Sequence, residues 1–398
     1  MKNWLWIAVA IACTIPAIYL RLSGLLLATW VDAVVFGIAI VGAAFLVTWA
    51  AETAQVEVSQ SLVLALLAIV TVLPEYAVDM YFAWTAASQP EYASYATANM
   101  TGANRLLVGI GWPLIALLSW FKCKNKNIEL DKPQTTEITF LILATVYSFI
   151  IPIKGNISLA DTLVFFAIFG FYMWASSKGE KVEPELSGPP ATLALLSKKI
   201  RRTTVISLFL FSAVVILASA EPFAQGLLGA GNSLGVDEFV MVQWVAPLAS
   251  EAPELIVAVI LVLNANAATA LGLLVSAKVN QWTLLIGMLP LVYSIALGAP
   301  SAFPLDIRQV EEVLLTSAQS ALALVLISRL RFSIPSAGLL FLLFASQLFL
   351  TSTAIRYGYS ALYLVIMLGI MLKDRGRAVG LFNMIKNTAN EVMRGKSE

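Results

Sequence analysis

Two segments decide the fold of this chain: TVLPEYAVD at residues 71–79 and SEAPELIVA at residues 250–258. Each places a proline followed by a glutamate inside a long apolar stretch. These residues are Pro74, Glu75, Pro253 and Glu254. Proline removes a helix hydrogen bond and frees a carbonyl, and a glutamate in hydrocarbon costs about 3 kcal/mol or more. Because a hard cation takes carboxylate and carbonyl oxygens as ligands, the two glutamates are predicted to bind a metal cation.

The composition is that of a membrane protein. The 398 residues are 59% hydrophobic and 12% charged, whereas soluble domains carry about a quarter charged residues. A membrane-spanning helix needs about 20 apolar residues, and the chain divides into twelve such predicted spans. They lie near 4–20, 31–50, 62–86, 94–120, 137–153, 158–176, 203–221, 238–263, 267–298, 312–329, 335–354 and 358–373. The predicted class is an all-α polytopic membrane protein.

The distribution of basic residues tests this map. With the N-terminus in the cytoplasm, 19 of the 25 Lys and Arg residues fall in cytoplasmic loops and tails. Four fall on the opposite side, namely Arg21, Lys154, Arg308 and Arg356, and Arg105 and Lys278 remain inside spans. This asymmetry agrees with the positive-inside rule. It predicts that both termini are cytoplasmic and that the protein resides in the plasma (inner) membrane.

The chain is predicted to consist of two halves of six spans each. The N-terminal half is residues 1–177, with a first repeat at about 62–120, and the C-terminal half is residues 203–373, with a second repeat at about 238–298. A basic, proline-containing cytoplasmic linker at 178–202 separates the halves, and 374–398 forms a cytoplasmic tail with the character of an amphipathic helix. The map makes the two Pro-Glu spans run in opposite directions, as inverted repeats of secondary transporters do.

These repeats resemble those of the sodium/calcium exchanger family in the calcium/cation antiporter superfamily. The family pattern is G-T-S-L-P-E followed by a G-N-x-x-G-S-N-like segment, and the resemblance extends over most of residues 31–354. It implies the inverted-repeat cation exchanger fold, a ten-helix core here flanked by additional spans. It also implies a cation site at the membrane midplane that opens to each side in turn.

The resemblance carries roles to individual residues. Glu75 and Glu254 match the family's metal-binding glutamates, Thr71 and Asn104 match other motif positions, and Ser250 stands where threonine is usual. Further candidates share a helix face or segment with these residues: Asp79, Glu251, Asn280 and Gln281. For the hydroxyl and amide side chains, hydrogen bonding between helices is an alternative to ligation.

Two basic residues depart from the family pattern. Lys278 takes the place of the second asparagine and Arg105 lies beside the first, while Leu107 and Gln281 stand where the family has an Asn or Asp ligand. One interpretation makes Arg105 and Lys278 counter-ions of Asp79 and Glu251. A second places the Lys278 ammonium in a former sodium site, where it exchanges protons as a carboxylate binds a cation. A third is a site that has lost ion binding or that binds an anion.

The predicted function is secondary-active antiport, in which Ca²⁺, a similar cation or Na⁺ exchanges against Na⁺ or H⁺. The sequence contains no G-x-x-x-x-G-K-[ST] motif for ATP, and no enzyme activity is expected. The alternative is a non-transporting or altered-specificity protein in which Arg105 and Lys278 replace bound cations. No cofactor is expected beyond the transported ions. The expected partners are the lipid bilayer and small inorganic cations, and the net charge of +1 gives no reason to expect nucleic acid.

Overall fold

The computed structural model describes residues 2–25, 27–56, 72–130, 134–177, 186–348, 350 and 352–394. Thr71 and the part of the third predicted span at 62–71 lie outside these residues, as does the linker segment 178–185. The helices are α1 (Lys2–Ser23), α2 (Thr29–Ala54), α3 (Leu73–Thr85), α4 (Tyr92–Leu106), α5 (Trp112–Cys123), α6 (Gln134–Ser148), α7 (Ile150–Lys154), α8 (Leu159–Ser177), α9 (Pro189–Ala194), α10 (Lys198–Leu234), α11 (Glu238–Leu263), α12 (Ala267–Asn280), α13 (Ile286–Leu297), α14 (Ile307–Ile327), α15 (Ile334–Gln347), α16 (Thr353–Lys373) and α17 (Arg375–Arg394). Four short strands are β1 (Asn127–Glu129), β2 (Asn156–Ile157), β3 (Phe303–Pro304) and β4 (Arg331–Ser333).

In the described part of the chain, ten helices are long and apolar enough to cross a membrane, and α15 is a shorter apolar helix. This count takes α4 with α5, α6 with α7, and α12 with α13 as one continuous helix each. The helices overlap the twelve predicted spans in order, although the total number of spans stays a prediction. The seventh span is longer than predicted. Residues 203–221 were expected, whereas α10 has 37 residues and is therefore about 55 Å long at about 1.5 Å per residue. Hydropathy could not show this, because the helix continues through the basic residues before the apolar stretch and the small residues after it.

All four cations that the sequence places in external loops belong to helices. Arg21 lies in the last turn of α1, and Lys154 is the last residue of α7. Arg308 lies in the first turn of α14, which begins at Ile307, and Arg356 lies in α16, which begins at Thr353. Arg356 is only 2% exposed, so its assignment to a loop is wrong. The sequence favoured a loop because the cation lowers local hydropathy, and the structure buries it because carboxylates of α14 neutralise it.

The chain forms two compact units, each containing a segment from either half. The first unit comprises Met1–Phe82 and Gly179–Pro253. In it α2 packs along α10 at glycine contacts. A Cβ on Gly226 would lie 2.5 Å from the backbone nitrogen of Ala33, so only glycine allows this approach. Small residues commonly allow membrane helices to pack this closely.

The second unit comprises Ala83–Lys178 and Glu254–Glu398. The same arrangement of packed helices occurs twice within it. Helix α4 packs on α14 as α12 packs on α6, and α5 packs on α15 as α13 packs on α8. The strands show the same relation, because each pair joins one strand from either half of the chain. Strand β1 pairs antiparallel with β4, and β2 pairs antiparallel with β3. Within this unit the two sequence repeats therefore fold into equivalent arrangements.

Candidate functional site

Lys278 and Asn104, which occupy equivalent places in the two repeats, meet in the second unit. Both side chains are buried, Asn104 near the end of α4 and Lys278 near the end of α12. The Lys278 Nζ donates to Asn104 Oδ1 at 2.8 Å and to the Asn104 backbone oxygen at 3.2 Å. It also lies 4.7 Å from the ring centroid of Trp282, within the range of a cation–π interaction. An ammonium thus occupies a place where amide and carbonyl oxygens converge.

Each of these helices changes to a π-helical turn at the same point of its repeat. The turns are Leu107–Gly111 and Gln281–Leu285, and each begins three residues after Asn104 or Lys278. A π turn leaves a backbone carbonyl without its usual helical partner and is frequent at functional sites. In the first repeat Gly109 permits close packing, since a Cβ there would lie 2.3 Å from Cγ of Phe344. Periodicity analysis of the sequence gives no signal for these turns.

Arg105 forms part of a buried charge cluster that the sequence analysis missed. Its Nη2 lies 2.6 Å from Oε2 of Glu312 on α14, and both side chains are 0% exposed. The other oxygen of Glu312 pairs with Nη1 of Arg356, whose Nε lies 3.8 Å from Oε1 of Glu311. Glu312 therefore bridges two guanidinium groups, and Glu311 also interacts electrostatically with Arg308. The adjacent acids at 311 and 312 in an apolar span were the available signal.

The first Pro-Glu motif lies at the beginning of α3 in the first unit. Glu75 and Asp79 are both buried and, four residues apart, share one face of the helix. Pro74 occupies the first turn of α3, where a proline costs no helical hydrogen bond. Among the described residues this motif lies at a helix start. Residues 57–71 lie outside them, so a proline in the middle of a membrane span stays a prediction.

The second motif lies in the interior of α11, which also contains Pro247. Ser250 and Glu251 are buried in the first unit, and the Ser250 hydroxyl donates to the Ala246 carbonyl at 3.3 Å. Pro253 has no N–H to donate to the carbonyl four residues before it. A free carbonyl and a bent helix are the expected consequences.

Glu254 begins the segment of the second unit that follows Pro253. Its Oε2 atom is buried, and no described residue forms a hydrogen bond with it. Asn280 and Gln281 of the same unit are buried around the junction of α12 with its π turn. A buried carboxylate oxygen without a donor is costly in hydrocarbon, and a proton or a metal cation would remove that cost.

Within the residues that the structure describes, no three or more Asp, Glu, His or Cys side chains gather as a metal-binding group. Ca²⁺ accepts amide and backbone carbonyl oxygens as ligands beside carboxylates. Of the predicted site residues, Asn104 and Lys278 are in direct contact, and Arg105 forms an ion pair with Glu312.

Helices long enough to cross a membrane, two equivalent repeats and buried charges within them define a transporter of the inverted-repeat class. A family model described as sodium/calcium exchanger protein matches residues 27–178 and 204–353. The chain belongs to this family, whose members are secondary transporters and not enzymes. It is an integral membrane protein with the exchanger fold and the cation-antiporter class that its sequence predicted.

The chain is also similar to solved structures of exchangers. It shares 45% sequence identity with the H⁺/Ca²⁺ exchanger CAX, over 98% of this chain and 99% of that chain, with a TM-score of 0.94. It shares 16% identity with the sodium-calcium exchanger NCX_Mj over 80% and 97% of the chains, with a TM-score of 0.54. For native YfkE the identity is 14%, the coverage 88% and 100%, and the TM-score 0.62. At these low identities the last two likenesses concern the fold alone, and curated protein sequences gave no match.

Proposed function

We propose that this protein exchanges Ca²⁺ against H⁺, and that the glutamates of the two Pro-Glu motifs, Glu75 and Glu254, take part in binding the transported ions. The main observation behind this proposal is that the buried Oε2 atom of Glu254 accepts no hydrogen bond from the described residues. A proton or a metal cation would neutralise the negative charge of such a carboxylate, so the same oxygen can accept either ion in turn. The proline before it frees a carbonyl that serves as a further oxygen ligand.

Lys278 supports H⁺ over Na⁺ as the counter-ion. Its ammonium already lies between the side-chain and backbone oxygens of Asn104. A sodium ion would need oxygens of this kind, and a fixed positive charge at the same place repels it. A proton needs only a titratable carboxylate. The 45% identical structure is described as an H⁺/Ca²⁺ exchanger, which agrees with this choice.

The proposal includes a membrane orientation. The distribution of Lys and Arg puts both termini in the cytoplasm and agrees with residence in the plasma membrane. The transported ions, rather than a bound cofactor, are the small molecules that the protein handles. Thr71, Ser250, Asn280 and Gln281 remain proposed oxygen ligands beside the two glutamates.

Flux measurements in proteoliposomes test the counter-ion. Ca²⁺ uptake is measured under an imposed H⁺ gradient and, separately, under a Na⁺ gradient, for wild type and Lys278→Asn. The wild type is expected to take up Ca²⁺ only with the H⁺ gradient, and Lys278→Asn is expected to gain uptake with the Na⁺ gradient. The Lys154→Asn variant changes the same residue types away from Asn104 and serves as the matched control.

Two results would reject the proposal. Ca²⁺ uptake by the wild type under the Na⁺ gradient alone would make Na⁺ the counter-ion. An absence of Ca²⁺, Na⁺ or H⁺ flux under every gradient, in a protein that remains folded, would favour the non-transporting alternative, in which Arg105 and Lys278 replace bound cations.

A further inference from the structure

The C-terminal helix α17 begins at the end of a helix long enough to cross the membrane. Helix α16 ends at Lys373, and α17 begins at Arg375 with a single residue between them. The first turn of α17 must therefore lie close to the boundary between the bilayer and water. This position exposes the helix to lipid headgroups, whatever the orientation of the chain.

One side of α17 is fixed to the second unit. Nη1 of Arg377 donates to the carbonyls of Val325 and Leu326 at 2.8 and 3.0 Å, and so caps the last turn of α14. A Cβ on Gly380 would lie 2.7 Å from the carbonyl oxygen of Ser328. Further along, the hydroxyl of Thr388 is 3.0 Å from that of Thr139 on α6. The helix therefore has a defined rotation about its axis.

The opposite side of α17 carries a stripe of two apolar residues with one basic residue at either end. The outward stripe consists of Arg375, Val379, Phe382 and Lys386. These positions recur every three or four residues, which places them on one face. All four are exposed, with Val379 55% and Phe382 66% exposed. Residues 375–390 contain no Asp or Glu, and Asp374, which precedes them, forms ion pairs with Arg329 and Arg377.

We propose that the outward stripe of α17 is a docking surface for the anionic headgroups of the bilayer. Its two cations match the negative charge of such a surface, while Val379 and Phe382 enter the apolar zone just beneath the headgroups. Single exposed apolar residues are common on proteins. Here, however, two neighbouring ones lie between two cations at the membrane boundary, on a helix whose rotation is fixed by its inward contacts. This inference is independent of which ions the protein exchanges.

A fluorescence titration tests the proposal on the full chain. Cys13 and Cys123 are replaced by alanine, and Asn383→Cys, which is exposed beside the stripe, carries a fluorescent dye. The protein in nonionic detergent is titrated with phosphatidylglycerol or phosphatidylcholine bearing a spin label that quenches the dye. We expect half-quenching at a much lower mole fraction of phosphatidylglycerol than of phosphatidylcholine.

Matched variants separate the stripe from general charge. A cation near an anionic membrane contributes about fivefold to its affinity, so Arg375→Gln/Lys386→Gln should raise the phosphatidylglycerol fraction at half-quenching about 25-fold. Lys122→Gln/Lys124→Gln removes two exposed cations elsewhere and should leave that fraction unchanged. Equal quenching by both lipids in the parent protein, or equal responses of the two double variants, would overturn the proposal. So would a dimer in size-exclusion chromatography that the stripe variant abolishes, since a second copy would then cover the stripe.

Discussion

Substitution of Glu312 by glutamine should destabilise the protein strongly, because this carboxylate joins two buried guanidinium groups. It contacts Arg105 through one oxygen at 2.6 Å and Arg356 through the other. Glu312→Gln removes the carboxylate that Arg105 and Arg356 share, and leaves Glu311 to face the cations Arg105, Arg308 and Arg356. Breaking a buried ion pair by removing one partner typically costs about 3–5 kcal/mol. We expect a loss of free energy of unfolding in that range.

The same cluster makes a second prediction about coupling. Glu312→Gln/Arg356→Gln removes one charge of each sign, so that the net charge of the cluster is the same as in the wild type. If charge balance dominates, the double variant should be less destabilised than the sum of the single variants by about 0.5–3 kcal/mol, the usual range for residues in contact. Free energies of unfolding are measured by titration with sodium dodecyl sulfate in mixed micelles, followed by far-ultraviolet circular dichroism.

Glu129→Gln is the matched control. This glutamate lies 3.9 Å from Arg331 across the β1–β4 pair, and their side chains are 79% and 54% exposed. An exposed pair of this kind contributes at most about 1 kcal/mol. If Glu312→Gln destabilised the protein no more than Glu129→Gln does, the charge cluster would not hold α4, α14 and α16 together, and the reasoning would be refuted.

Two glycine substitutions test the close helix contacts by the same unfolding measurement. Gly109→Ala should cost about 1–3 kcal/mol through overpacking, because the added Cβ would lie 2.3 Å from Phe344, and Phe344→Leu should recover part of the loss. Gly226→Ala should cost at least as much, since the Cβ would meet the backbone of α2. Gly170→Ala is the control for both: no atom lies within 4 Å of its added Cβ, and alanine favours a helix by up to about 1 kcal/mol. A loss in Gly170→Ala equal to the others would show that helix propensity or insertion, and not contact, sets the effect.

The sequence could predict the features that depend on local composition. Long apolar stretches place the helices, and the two Pro-Glu motifs with their following segments identify the repeats. The equivalence of Asn104 and Lys278 follows from the same alignment of repeats, and in the structure the two side chains are in contact. These predictions succeed because bilayer thickness and backbone hydrogen bonding restrict the possible structures strongly.

The sequence could not predict which charges meet in three dimensions. Arg105 pairs with Glu312, which lies in a distant helix, and local spacing carries no information about such a pair. Arg356 was assigned to a loop because hydropathy counts every cation as polar, although a paired cation can be buried. The π turns after Asn104 and Lys278 were also missed, because they insert one residue into the hydrogen-bonding pattern without changing the composition.

The most direct test of the central claim measures Ca²⁺ entry and H⁺ exit together in proteoliposomes for wild type, Glu254→Gln and Glu129→Gln. Coupled fluxes are expected in the wild type and in the control Glu129→Gln. Both fluxes are expected to be lost in Glu254→Gln while the variant remains folded. Glutamine keeps the size of the side chain but neither binds a proton reversibly nor supplies a negative charge. Coupled Ca²⁺ and H⁺ fluxes that persist at the wild-type rate in Glu254→Gln would contradict the assignment of this glutamate as a carrier of both ions.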